Sequence, residues 1–217
     1  MPRSLVVLLR GVNVGGHRTF RPKLLAERLK RLDVVSIGAV GTFVVREKAT
    51  QADVRRAFAR ELPFDTHIVI VPGHDILRLV SGDPFSRQKA SRNVTFFISV
   101  LLRTPPRGPV FPLILPPRGT WLMKILGREG RFVLGMYRRQ MKAIGLLGSL
   151  DRLFGVPATA RSWTTITAIA KVLAAEGNRE HKGRSRHNIR ETYANAERAL
   201  ARDVSGVFSQ SQVRFNL

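Results

Sequence analysis

A chain of 217 residues with 44% apolar residues can build one large or two small domains around real cores. It has no cysteine, which excludes disulfides, thiolate metal sites and a cysteine nucleophile. The 37 lysines and arginines outnumber 15 acids, and a net charge of +22 points to a polyanionic partner, nucleic acid first. Arginine supplies 29 of the basic residues and lysine eight, a bias that codon usage in a GC-rich genome also produces. Codon usage explains the choice of arginine better than it explains the shortage of acids.

The chain opens on an unbroken apolar run, Leu5 to Leu9, that stops at Arg10-Gly11. A short β-branched run with that ending reads as a strand buried on both faces. It is far too short to cross a membrane and lacks a small-residue cleavage site, so no membrane partner and a cytoplasmic location are expected. A basic loop follows, and Pro22 starts a helix whose apolar face is Leu24, Leu25, Leu29 and Leu32. Val34 to Ile37 and Phe43 to Val45 read as a hairpin around Gly38 to Thr42. Thr50-Gln51-Ala52-Asp53 is a capping box opening a helix to Leu62, and His67 to Val71 is a fourth strand. The order β-α-β-β-α-β is that of a ferredoxin-like sheet with the first strand in the middle. A short helix from Asp75 to Val80 leads to a boundary at Asp83-Pro84-Phe85.

The second half begins with a strand from Val94 to Leu102. Thr104 to Gly119 holds six prolines and is expected to lack regular structure. Thr120 to Leu126 and Arg131 to Tyr137 read as paired strands, Met141 to Phe154 as a helix, and Thr165 to Ala175 as a strong helix capped by Ser162 or Thr164. From Gly177 the pattern dissolves into a polar tail expected to be mobile. The expectation is therefore an α+β fold: a ferredoxin-like domain over 1–83, a second α+β domain over 84–176, and a tail over 177–217. The tail contributes only +4, so the charge belongs to the globular body. It is densest from Pro84 to Leu150, with twelve basic residues against one acid, Glu129.

Three stretches are candidate anion sites. Arg10, Asn13, Gly15 and Gly16 would form a nest of converging N–H groups with an arginine fork beside it. The competing reading is a glycine turn in which Asn13 caps local backbone. Thr159, Arg161 and Thr164 lead into the last strong helix, where hydroxyls, an arginine and a helix N-terminus suit an anion. Plain capping is the alternative. Arg138, Arg139 and Lys142 form a basic cluster at a strand-to-helix junction, set to grip phosphate or merely to be solvated. Gly145 to Gly148 matches the G-x-x-G spacing of RNA-binding KH modules, but close helix contacts explain two small residues better. The five histidines and the scattered acids show no metal-ligand spacing, no carboxylate pair and no catalytic triad. No cofactor and no catalytic residue is assigned.

Leu8-Leu9-Arg10-Gly11-Val12-Asn13-Val14-Gly15-Gly16 and Gly155-Val156-Pro157-Ala158-Thr159-Ala160-Arg161-Ser162-Trp163-Thr164-Thr165-Ile166 together resemble the bacterial family catalogued as domain of unknown function 1697. Its members open with L-L-R-G-[IV]-N-V-G-G and close with G-V-x-x-T-x-R-N-W-x-T-[VI]; the resemblance spans about residues 4 to 175. It implies a two-part α+β fold with a ferredoxin-like first half, and no activity. This chain departs from the pattern at the hairpin, where Ala39-Val40-Gly41-Thr42 replaces Q-S-G-N. It departs again at Ser162, where asparagine is usual, and at Gln140-Met141-Lys142-Ala143, which keeps only the lysine of S-K-L. Three functional readings follow. One is sequence-tolerant nucleic-acid or polyanion binding through the basic second half. The others are a small anionic ligand held between the two halves by the motif residues, and a protein-interaction module.

Overall fold

A computed structural model describes residues 4–13, 19–89 and 91–180. The first half follows the expected order: β1 (Leu5–Leu9), α1 (Pro22–Arg28), β2 (Val34–Ile37), β3 (Thr42–Val45), α2 (Gln51–Glu61) and β4 (Ile68–Pro72). Its sheet runs β2-β3-β1-β4, all antiparallel, the ferredoxin-like order. The Leu5 to Leu9 run occupies an interior strand and is buried along its whole length, as a two-sided apolar run requires. Proline at the first turn opens α1, which closes in a single 3-10 turn, Lys30–Leu32. The capping box holds: the Thr50 hydroxyl accepts from the Asp53 amide at 3.1 Å and donates to its carboxylate at 2.6 Å. That hydroxyl, with Arg56 behind it, keeps the Asp53 carboxyl below the usual carboxylate range.

After α3 (Gly73–Ser81) the chain builds a second antiparallel sheet in the order β6-β7-β8-β5-β9. Its strands are β5 (Val94–Leu101), β6 (Leu113–Leu115), β7 (Met123–Glu129), β8 (Phe132–Arg138) and β9 (Ala158–Ser162). Two of these correct the sequence reading. β6 lies inside the proline-rich stretch, a three-residue strand held against β7 between Pro112 and Pro116. β9 lies where a helix-capping loop was expected, and pairs along β5 from Phe97↔Ser162 to Leu101↔Ala158. The expected helix from Met141 to Phe154 is two, α4 (Met141–Gly148) and α5 (Leu150–Phe154), separated at Ser149. The last helix, α6 (Trp163–Glu180), starts directly from β9 and runs past the expected end at Ala175. Most of the tail, from residue 181, lies outside the described residues.

Three apolar cores stack through the molecule. One packs α1 and α2 on the first sheet, through Leu25, Val54 and Phe58 against Val7, Phe43 and Ile70. Another packs α5 on the second sheet, through Leu150 and Phe154 against Phe97, Met123 and Ile125. The middle core joins the two halves: Val6, Leu8 and Val69 of the first sheet meet Ile76 of α3, Ile166 and Leu173 of α6, and Ile98 and Met136 of the second sheet. The expected boundary falls within this core, since Phe85 is buried, stacks on Phe96 and meets Trp163 edge-on. Phe96 and Phe97 are both core residues, on opposite faces of β5.

Candidate functional site

The two sequence motifs do meet, but as a clamp. Alternation along β9 turns Arg161 and Thr159 toward the end of β1 and the β2–β3 turn, and leaves Arg161 7% exposed. Its Nε donates to the Thr42 hydroxyl at 2.7 Å. One terminal nitrogen donates to the Thr159 hydroxyl and the Ala160 carbonyl, both at 2.8 Å. The other donates to the carbonyls of Leu9 at 2.9 Å, Val40 at 2.8 Å and Gly41 at 3.1 Å. Every guanidinium donor is thus engaged with protein, so Arg161 holds β9 to the first sheet and has none left for an anion. Burial lowers its pKa to about 10, still far above neutrality, so the clamp is cationic under ordinary conditions. The anion-site expectation for Arg161 and Thr159 is corrected on these contacts.

The N-terminal motif behaves similarly. Arg10 forms an ion pair with Asp151 of α5, and the other carboxylate oxygen of Asp151 accepts from the Ala158 amide at 2.8 Å. Asn13 takes a left-handed backbone at φ 52° and uses its whole amide on the loop. Its nitrogen donates to the Phe20 carbonyl at 3.1 Å and the Ala39 carbonyl at 2.6 Å, and its oxygen accepts from the Phe20 amide at 2.9 Å. This is the backbone-capping alternative rather than an open anion nest. Gly15 and Gly16 lie outside the described residues.

The third candidate cluster stands differently. Strand register brings the start of β5, the end of β8 and the start of β7 to one end of the second sheet: Val94 faces Arg138, Met123 faces Tyr137, and the Arg139 amide bonds the Asn93 carbonyl. The turn from residue 116 to 121 closes at the same end, where the Leu122 amide bonds the Leu115 carbonyl. Six basic residues lie on the segments that meet there: Arg92, Arg118, Lys124, Arg138, Arg139 and Lys142. Two of them meet at Trp121, a half-buried indole that the sequence reading passed over. The Lys124 ammonium and the Arg138 guanidinium each sit 4.7 Å from its ring centre. Arg139 reaches the Thr95 hydroxyl at 3.1 Å, while Lys142 is exposed on the first turn of α4. Thr164 is exposed in the first turn of α6.

Among the described residues, none of the twelve cations between Pro84 and Leu150 forms an ion pair with a carboxylate. Eight of them are exposed. The G-x-x-G match is resolved against a KH loop, since Gly145 and Gly148 lie inside α4. Close helix packing fails as an explanation too, because a methyl group at either position would meet open space. Among the described residues no group of acids and histidines is arranged to hold a metal ion, and no helix is long and apolar enough to cross a membrane.

The fold and site define an α+β protein of two antiparallel sheets with a basic, aromatic-centred sheet end. The chain belongs to the family described as "Protein of unknown function (DUF1697)", whose model matches residues 3–111, half of its length. The second motif lies beyond the matched residues. Among solved structures it is similar to the conserved bacterial protein SP0830 from Streptococcus pneumoniae, at 13% identity and a TM-score of 0.51. That likeness covers 78% of this chain and 98% of the other, and is one of fold. No curated protein matches the chain.

Proposed function

We propose that this protein binds single-stranded nucleic acid, with little sequence preference, at the basic end of the second sheet. The observation that carries this reading is the set of cations at the Trp121 end of the sheet that have no carboxylate partner among the described residues. Codon usage accounts for arginine replacing lysine; it does not account for six cations on segments that meet at one sheet end, none of them paired with a carboxylate among the described residues. Lys124 and Arg138 share one indole, and a phosphate beside that ring would meet two cations at once. Aromatic rings flanked by arginine and lysine are the usual equipment for strands whose bases are unpaired. Phosphate binding of this kind gives affinity without reading sequence.

The triple variant Lys124→Gln, Arg138→Gln, Arg139→Gln tests the reading by fluorescence anisotropy with a labelled single-stranded oligonucleotide. Its expected outcome is binding weakened at least tenfold at low salt. The slope of log K against log salt should shrink by about 0.7 for each phosphate that the variant no longer neutralises. Circular dichroism should show the fold retained, because these side chains lie outside the three cores. Unchanged affinity in a folded variant would remove the site.

The rival reading, an anion held between the halves by Arg10 and Arg161, loses Arg161 to bonds within the protein and finds Arg10 already paired with Asp151.

A further inference from the structure

At the opposite end of the second sheet a cleft of about 360 Å³ opens between α3 and the β7–β8 turn. Its apolar floor is Val71, Leu79 and Phe132. Its polar wall differs from the rest of the surface. Glu129, the one acid among the residues from 84 to 150, lines it, and so does Asp75, facing Arg131 and Arg78. Two carboxylates and two guanidinium groups line it in a chain of net charge +22, and Arg55 is near enough to act on Arg131 as well. Arg131 is a fixed cation: its Nε donates to the Leu101 carbonyl at 2.8 Å and one terminal nitrogen to the Ile70 carbonyl at 3.1 Å. These bonds tie it to both sheets and leave its second terminal nitrogen without a hydrogen bond among the described residues. Burial pulls the Arg131 pKa below its ordinary value while Asp75 favours the charged form, and Asp75 also lies 3.6 Å from Arg78 and 3.3 Å from His74.

We infer that this cleft binds a small zwitterion with an apolar side chain, an amino acid or dipeptide. Its carboxylate would lie on Arg131 and its ammonium on Asp75 and Glu129. A polyanion gains nothing here over the basic end of the sheet, and a simple cation meets two arginines. Only a ligand carrying both charges satisfies both walls, while its side chain covers the apolar floor. A cleft of a few hundred Å³ with a few convergent polar groups is the usual form of such a site. This inference stands apart from nucleic-acid binding and shares no residue with it.

Isothermal titration of the full chain with L-phenylalanine and L-leucyl-L-leucine tests it, with the N-acetylated and C-amidated forms of each as controls. The expected result is saturable binding of at least one zwitterion, weakened at least tenfold when either end is blocked. Glu129→Gln and Asp75→Asn should each weaken it several-fold. Glu129 is exposed, so its variant keeps the fold and serves as the decisive case. Arg131→Lys keeps the charge but gives up the spare nitrogen, and should weaken the hold on the carboxylate. No heat from any zwitterion would overturn the inference. So would equal binding by the blocked forms, or affinity unchanged in a folded Glu129→Gln variant.

Discussion

Replacing Arg161 with methionine should cost about 3–5 kcal/mol of folding stability, because several buried acceptors lose their donor at about 1–3 kcal/mol each. Methionine fills similar space and offers no donor. The Leu9 and Val40 carbonyls and the Thr42 hydroxyl then lose the group that reached them from β9. The melting temperature should fall by roughly 10 °C, given about 2–4 °C per kcal/mol in a chain of this size. Arg161→Lys should fall between wild type and methionine, because an ammonium is a compact point charge that cannot span partners on both sides of a planar fork. Urea unfolding followed by circular dichroism measures both. A methionine variant within 1 kcal/mol of wild type, on the scale of about 1 kcal/mol for an ordinary hydrogen bond, would mean that the clamp carries no weight.

Gly41→Ala should cost about 3 kcal/mol or more, from two sources that a second variant separates. Gly41 turns the β2–β3 hairpin at φ +68°, a left-handed backbone that costs an alanine about 1–2 kcal/mol. A methyl group there would also stand 2.5 Å from Val12 Cγ2 and 2.8 Å from Leu9 Cβ. Val12 has some freedom to yield, but Leu9 Cβ is fixed by an interior strand, and overpacking of that kind costs about 1–3 kcal/mol. Gly38, in the same turn, has φ +64° and open space around it. Gly38→Ala should therefore show the backbone cost alone. Equal losses in the two variants would mean that crowding against β1 plays no part.

These two effects concern residues that sequence reading flagged for different reasons. Gly41 is the residue kept where the family's hairpin pattern is otherwise lost, and Arg161 stood in a stretch taken for a helix cap. Local chemistry made the first half legible. The Leu5 to Leu9 run, Pro22 and the Thr50-Asp53 box each announce an element within a few residues. β9 was hidden because Ala-Thr-Ala-Arg-Ser has no apolar run, and its buried face is filled by a threonine and an arginine. β6 was hidden by the prolines on either side of its three residues. The partners of Arg161 in the first half lie 119 to 152 positions away in the chain, so no window along the sequence contains them. Without them an arginine ahead of a helix looks free to hold an anion.

The basic end of the second sheet was half legible. Tyr137 to Lys142 stood out as a run of charge, and the excess from Pro84 to Leu150 marked the region. Trp121 did not stand out, because its meaning depends on β7 and β8 bringing Lys124 and Arg138 to one ring. A tryptophan followed three residues later by a lysine at the mouth of a strand is a weak signal, yet it was the one available. The cleft at the other end was invisible, since Asp75 and Glu129 belong to different sheets' connections and are ordinary surface acids in the sequence.

The division of labour between arginines is the central claim: those of the motifs hold the halves together, and those of the second sheet's basic end are proposed to hold a nucleic-acid strand. The most direct test is anisotropy of a short labelled single-stranded oligonucleotide with the wild-type chain, from about 50 to about 200 mM salt. The account predicts binding at low salt and a linear fall of log K with log salt. The slope should be no steeper than about −4, the limit set by six cations at about −0.7 each on a single strand. No binding at the lowest salt, or binding indifferent to salt, would contradict it.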